Sequence, residues 1–210
     1  MKTLKYMTLA ALVWCGQSAF AGGERDEYGF KIKRDQYGFK DERPAWLNLR
    51  NVYDFQNAAK LFKNIVLSLD PTNPALLAKN IDNLYNTQIG ITVYLAEVRP
   101  DKVKLEREEL NIFCEALSDY MNYSNLYVKI AMNDTIFAII RSNPQIAEES
   151  RQMTTGYLKK IEAVQNKLNL EFALQPDITV TVGGTQYKLL PVTYSPKKGM
   201  FENIKSKFNR

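Results

Sequence analysis

Histidine is absent from all 210 residues. That removes the commonest general base, imidazole metal ligands, ordinary haem ligation and every nucleophilic triad that works through an imidazole. Cysteine is almost as scarce, with Cys15 and Cys114 alone, too few for a four-cysteine zinc site. No Walker-type phosphate loop occurs, and Gly183-Gly184 is too short for a dinucleotide fingerprint. The residues therefore imply no cofactor, no metal and no catalytic residue, and the chain reads as a non-enzyme. It also lacks a strong excess of one charge: the formal net charge is +5, well short of the concentrated basic face that marks nucleic-acid binding.

The first 21 residues follow an export pattern. Lys2 and Lys5 precede a short apolar run over 7–14, and Ala19-Phe20-Ala21 offers small residues at the two positions a signal peptidase reads. The run is too short for a membrane-spanning anchor. A lipid anchor at Cys15 is opposed by bulky Trp14 just before it. Cleavage after Ala21 leaves 189 of the 210 residues, lowers the charge to +3 and removes Cys15. The mature chain can then form no internal disulfide, although an oxidising compartment would permit one. Its stability must come from a packed core, for which this length suffices. A bacterial periplasm, or secretion, is the expected destination.

From 51 to about 172 the sequence reads as helices punctuated by prolines. Val52, Phe55, Ala58/Ala59, Phe62, Ile65/Val66 and Leu69 recur at three- and four-residue steps, one apolar stripe over 51–69. Asn73-Pro74 is a cap followed by proline in the first turn. It opens a helix carrying Leu76/Leu77, Ile81, Leu84/Tyr85, Ile89, Thr92/Val93 and Ala96, which Gly90 could bend. Asp101 begins a third, with Val103, Leu110, Phe113/Cys114, Leu117 and Met121 on its face. At 122–125 the pattern allows either continuation or a kink, before an almost wholly apolar run over 126–140 that predicts deep burial. Ser142-Asn143-Pro144 repeats the cap signal ahead of one last long helix through Ile146, Met153, Tyr157/Leu158, Ile161, Val164 and Leu168.

The tail changes character. Ile178-Thr-Val-Thr-Val182, then Gly183-Gly184, then 185–190 predict a β-hairpin ended by Pro191 and Pro196. A short basic amphipathic helix is expected over 197–210, with Met200, Phe201, Ile204 and Phe208 on one side. The expected fold is mainly α: an antiparallel bundle of four or five helices with a small C-terminal β-hairpin and a short terminal helix. The expected segments are a signal peptide at 1–21, an arm at 22–46, the bundle at 47–175 and the hairpin with its helix at 176–210.

Few residues invite chemistry. Cys114 lies on the Leu110–Phe113–Leu117 stripe and reads as core, with an intermolecular disulfide as the alternative. The neighbouring carboxylates Asp26/Glu27, Asp41/Glu42, Glu108/Glu109 and Glu148/Glu149 read as solvated faces, because sequence neighbours on a helix diverge and do not converge on one substrate atom. Tyr120, Tyr123 and Tyr127 cluster at the suspected kink; they line a cavity for a small apolar ligand or sit at the core edge with wet hydroxyls.

The feature that calls for a function is a doubled phrase. Residues 25–33 and 34–42 share Arg, Asp, Tyr, Gly, Phe and Lys at six of nine aligned positions. In an extended chain Tyr28, Phe30 and Ile32 point one way and Lys31 and Lys33 the other, and Tyr37 and Phe39 alternate with Lys40 in the same manner. Three readings stand. The segment is a charged leader, or it folds back on the body against the 178–190 hairpin, or it is a tandem recognition arm whose two weak copies gain from effective concentration. In the last, Tyr28, Phe30, Tyr37 and Phe39 are anchors and Lys31 and Lys40 supply charge at the rim.

The sequence thus points to an exported, non-enzymatic protein-binding or adaptor protein, an accessory of an envelope assembly whose partner is another protein of the cell envelope and not nucleic acid. The alternatives are a helical bundle that binds a small apolar ligand, and a protein attached to the membrane surface through its terminal basic helix. The sequence leaves oligomeric state open. If the leader is read correctly, intact-mass analysis of chain recovered from the periplasm gives a product beginning at Gly22; a product retaining Met1 overturns it.

Overall fold

A computed structural model describes residues 49–98 and 107–197. The signal, the doubled phrase, the proposed cap Asp101 with Val103, and the basic tail after Lys197 lie outside the described residues.

Helix α1 (Val52–Leu67) is set by Asn51, whose side chain accepts the Asp54 N–H at 2.9 Å. The Asp54 carboxylate in turn accepts the Arg50 N–H at 3.1 Å. These two bonds satisfy donors that a helix start leaves orphaned. Asn73 plays the same part for α2 (Pro74–Glu97), accepting the Leu76 N–H at 3.1 Å, with Pro74 in the first turn. Helix α2 passes through a buried Gly90 without interruption.

Its buried face corrects the predicted stripe. The stripe drifts to Ile89, Val93 and Ala96, whereas the buried positions are Leu77, Ile81, Leu84, Gln88, Ile91 and Leu95. A strict helical period from Leu77 reaches 88, where the side chain is polar, so an apolar pattern slides off by one residue.

Helix α3 (Arg107–Ala131) is the axis of the body. It continues as unbroken helix through 122–125. Helices α1 and α3 run side by side in the same direction: Phe55 meets Phe113 with ring centroids 5.2 Å apart, and Phe62 meets Tyr120 edge-on at 5.3 Å. Lys63 and Asp119 form an ion pair at 3.5 Å on the rim. Helix α2 returns along α1 and stacks Tyr94 on Phe55 at 5.2 Å. These rings, with Leu77, Leu84, Ile91 and Leu117, are fully buried or nearly so and make the core. Burial of each such side chain is worth about 1.5–3 kcal/mol.

The run over 126–140 does not form one buried rod. It breaks at Met132, and Asn133 caps a separate α4 (Asp134–Arg141) by accepting the Thr135 N–H at 3.2 Å. Met132 and Phe137 are exposed, and the Arg141 guanidinium lies over the Phe137 ring at 5.4 Å. Only Ile136 and Ile140 of α4 turn inward. The last long helix is likewise two. Helix α5 (Pro144–Thr154) is capped by Asn143, and α6 (Tyr157–Lys167) starts after Gly156, whose φ of +84° is the left-handed region that glycine adopts freely. Leu158, assigned to the predicted stripe, is exposed.

The helical part ends at Lys167, not near 172. Asn169 takes a positive φ, and β1 (Leu170–Leu174) begins. It pairs antiparallel with β4 (Val192–Pro196), while β2 (Ile178–Val182) pairs with β3 (Thr185–Leu189) as expected. Pro191 therefore does not end the sheet structure but marks the step from β3 to β4, and Pro196 is the last residue of β4. The two antiparallel pairs follow one another as a ribbon, separated by 175–177 on one side and 190–191 on the other and bridged there by the Gln175 N–H donating to the Pro191 carbonyl at 2.8 Å. Its tip is Gly183-Gly184, both with positive φ, as a tight primed turn needs. Gly183 is packed so closely on the loop after α1 that a Cβ there would lie 2.5 Å from the Pro71 ring.

The ribbon is fastened to α3 by backbone groups. Asn122 donates to the Val192 carbonyl at 3.0 Å and accepts the Val192 N–H at 2.8 Å. Ser118 Oγ accepts the Tyr194 N–H at 2.8 Å and donates to the Cys114 carbonyl at 2.7 Å. The Lys129 ammonium donates to the Lys188 carbonyl. Asn122→Ala strands a buried donor and a buried acceptor of β4, each costing about 1–3 kcal/mol. We expect a loss of about 2–4 kcal/mol in urea unfolding, against about 1 kcal/mol for the helix cap in Asn51→Ala. Equal losses for the two would refute the clamp.

Candidate interaction surface

Residues directly opposed in an antiparallel pair share one face of the sheet. Here the pairs are Phe172 with Tyr194, Leu174 with Val192, Ile178 with Leu189 and Val180 with Tyr187. In every pair the β3 or β4 member is buried and the β1 or β2 member is not. Phe172 is 55% exposed, Leu174 62% and Ile178 46%, with Val180 half-buried. Leu170 and Val182 at the two ends are covered. The outer strand therefore overhangs the helical body and presents a row of apolar side chains on the ribbon's inward face. Phe172 keeps a ring contact with Tyr194, centroids 6.3 Å apart.

The same strand is an open edge. Among the described residues β1 pairs only with β4, and β2 only with β3. Exposed edges are commonly guarded by lysine or proline. Residues 170–182 contain no lysine or arginine, and their proline, Pro176, lies in the interruption between β1 and β2. Two stretches of five residues each thus have one edge without a strand partner among the described residues. At the start of β1 the edge runs into a shallow hollow of about 270 Å³ walled by Asn166, Asn169, Phe172 and Lys197.

Sequence reasoning missed this surface. It ended the helical region near Phe172 and assigned only 178–190 to strands. The usable signal was the alternation Leu170-Glu-Phe-Ala-Leu174, hidden because it follows a helical stripe with no proline between them.

The residues predicted as partner anchors, Tyr28, Phe30, Lys31, Tyr37, Phe39 and Lys40, lie outside the described residues. The three tyrosines predicted to line a ligand cavity are all on α3. Tyr120 is buried against Phe62, its hydroxyl beside Gln88, Thr92 and Ser124 without a well-aligned hydrogen bond. Tyr127 is buried and donates to Ser150 Oγ at 2.8 Å. Tyr123 is half-buried, with the Lys63 ammonium 5.0 Å from its ring centre. Tyr120 therefore fills the space among α1, α2 and α3, and Tyr127 a polar seam between α3 and α5, to which α2 adds Gln88, donating to the Met153 carbonyl at 3.3 Å.

One predicted solvated pair is corrected here. Glu148 is exposed, and hydrogen bonds from Arg151 and Gln152 hold its carboxyl down at about 2. Glu149 is buried instead: one oxygen accepts from Gln145 at 2.9 Å and the other has no partner. The two carboxylates diverge, as the helix dictates. Cys114 is buried, and burial pushes its thiol up to about 12, opposite to what a nucleophilic thiolate requires. Among the described residues no three His, Cys, Asp or Glu side chains gather as metal ligands, and no helix is long and apolar enough to cross a membrane.

No protein-family model matches the chain, and comparisons with curated proteins and with solved structures return no match.

Burial raises the Cys114 thiol from 9.0 and the Tyr120 phenol from 10.0, each to about 12, and raises Tyr94 and Tyr127 as well. These groups bind their protons more tightly folded than unfolded, so their contribution is complete below the unfolded values and is lost as pH rises toward the folded ones. The urea midpoint should therefore stay level up to about pH 9 from these groups and fall between about pH 9 and 12. Cys114 should resist a thiol reagent in the native protein and react once it is unfolded; rapid native labelling contradicts the burial.

Proposed function

We propose that this is an exported, non-enzymatic adaptor that binds other proteins in a bacterial periplasm, as an accessory of an envelope assembly. The observation that supports the reading is the β1–β2 edge, where exposed Phe172, Leu174 and Ile178 stand beside backbone groups with no strand partner among the described residues. Such an edge accepts an extended strand from a protein partner: backbone pairing supplies affinity and alternate side chains supply specificity. The doubled phrase supports the same reading from the sequence side. It contributes Tyr28, Phe30, Tyr37 and Phe39 as anchors with Lys31 and Lys40 at the rim, two weak contacts on one tether. The absence of histidine removes the usual general base, and the one thiol of the mature chain is buried.

Immobilised mature chain should retain a periplasmic protein. Deleting one copy of the phrase should lower retention much more than twofold, and deleting 22–44 should abolish it. Retention unchanged by deletion of both copies overturns the arm's role. Turnover of an envelope substrate by the purified chain overturns the reading as a non-enzyme.

A further inference from the structure

In an antiparallel pair, opposed residues alternately exchange both backbone hydrogen bonds and none. The β1–β4 ladder shows its phase at both ends. The Lys197 N–H donates to the Asn169 carbonyl at 3.3 Å, and the Gln175 N–H to the Pro191 carbonyl at 2.8 Å. Both bonds fit the register that sets Leu170 against Pro196. Glu171 and Ala173 therefore turn their backbone groups to β4, and Leu170, Phe172 and Leu174 turn theirs to the open edge. The seated strand agrees. Val192, opposite Leu174, gives both backbone groups to Asn122, and Tyr194, opposite Phe172, gives its N–H to Ser118. On β1 the residues with edge-facing backbone are thus the residues with inward apolar side chains. β2 has the opposite phase. Its two-residue turn closes between Val182 and Thr185, and the Lys188 carbonyl, opposite Thr179, accepts from Lys129. Thr179 and Thr181 therefore face the edge there, while the inward apolar side chains belong to Ile178 and Val180. One straight strand cannot serve both halves, and β1 is the half where a backbone partner also covers the apolar row.

We propose that β1 pairs antiparallel with β1 of a second copy of this chain, across a twofold axis at Phe172. This rests on the reading of the edge as a strand-binding surface and names its partner. The ground for a second copy is that Leu-Glu-Phe-Ala-Leu matches its own reverse. Rotation about Phe172 sets it against the second copy's Phe172, and sets Leu170 against the second copy's Leu174. These are the edge-facing residues, so every such pair is in phase to exchange both backbone bonds. The exposed apolar side chains of the two copies then lie side by side on one face. Glu171 falls opposite Ala173, so like charges are not opposed. β1 carries no lysine or proline to prevent the pairing. The contact is isologous and occupies both edges, so it closes at a dimer. One five-residue strand per copy is a small interface, below the roughly 1,200 Å² of stable complexes, so the dimer dissociates on dilution.

Sedimentation of the full mature chain tests this. Mass should rise with concentration from monomer to dimer and go no further. Phe172→Pro removes an N–H that β4 does not use, which an edge strand tolerates. The change counts once in each copy and should weaken association at least about tenfold. Thr181→Pro does the same on β2, outside the contact, and should leave association unchanged. Urea unfolding of both variants checks that the body is intact. Phe172→Cys reads the register independently, and serves where the proline variant does not fold. On the axis it should form a disulfide-linked dimer much faster than Thr179→Cys, while the native Cys114 is buried. A chain monomeric at all concentrations, species beyond a dimer, association indifferent to Phe172→Pro, or equal cross-linking at the two positions overturns the proposal. A dimer that forms only after deletion of 22–44 also overturns it, because the arm then covers the edge. If the chain is monomeric yet retains a periplasmic protein, the second copy is wrong and the adaptor reading stands. If neither occurs, both fall.

Discussion

The ribbon's position depends on two polar side chains on a buried helix. Asn122 and Ser118 take up the Val192 N–H and C=O and the Tyr194 N–H. They lie on α3 in a region where most side chains are apolar and hidden. A strand laid on a helix buries backbone groups that the helix cannot pair through its own backbone, since those are already used. The side-chain amide, with a donor and an acceptor side by side, can answer both groups of one residue. That fixes β4 in register on α3. Register then decides which residues of β1 and β2 face inward, because a slip of one residue would invert every side chain.

From that constraint the exposed row follows. With β4 and β3 seated on α3, the ribbon's second strand is displaced sideways by one strand spacing and runs past the edge of the body. The same residue types that are buried on the seated strand, Tyr187, Leu189, Val192 and Tyr194, are answered on the overhanging one by Phe172, Leu174, Ile178 and Val180 with little beneath them. Apolar residues on an inward face are normally there to be covered. Where the described helices do not reach, the row stands beside a strand edge that has no partner among the described residues.

Much of the helical part was legible because it is locally encoded. Asn51, Asn73 and Asn143 each stand just before an apolar stripe, two of them followed by proline, and all three cap helices. Asn133 does the same work with Asp134 after it and no proline, so the break it makes passed as one apolar run. Gly156 was hidden for a similar reason: a single glycine in a helical pattern is usually tolerated, and only its positive φ shows that here it separates α5 from α6. Gln88 misled through its polarity. It belongs on the buried face, and its partner, the Met153 carbonyl, is 65 residues away.

By itself the sequence determined the class of the fold, the helix starts after Asn51, Asn73 and Asn143, and the hairpin turn, because caps, periodicity and Gly-Gly act within a few residues of themselves. It also fixed which side chains are available, since no folding can supply a histidine the chain does not contain. The tertiary structure decided the pairing of β1 with β4, the burial of Glu149, and the overhang of Phe172, Leu174 and Ile178. Those depend on where α3 holds the ribbon, through bonds between residues some 70 positions apart, and no local pattern carries that separation.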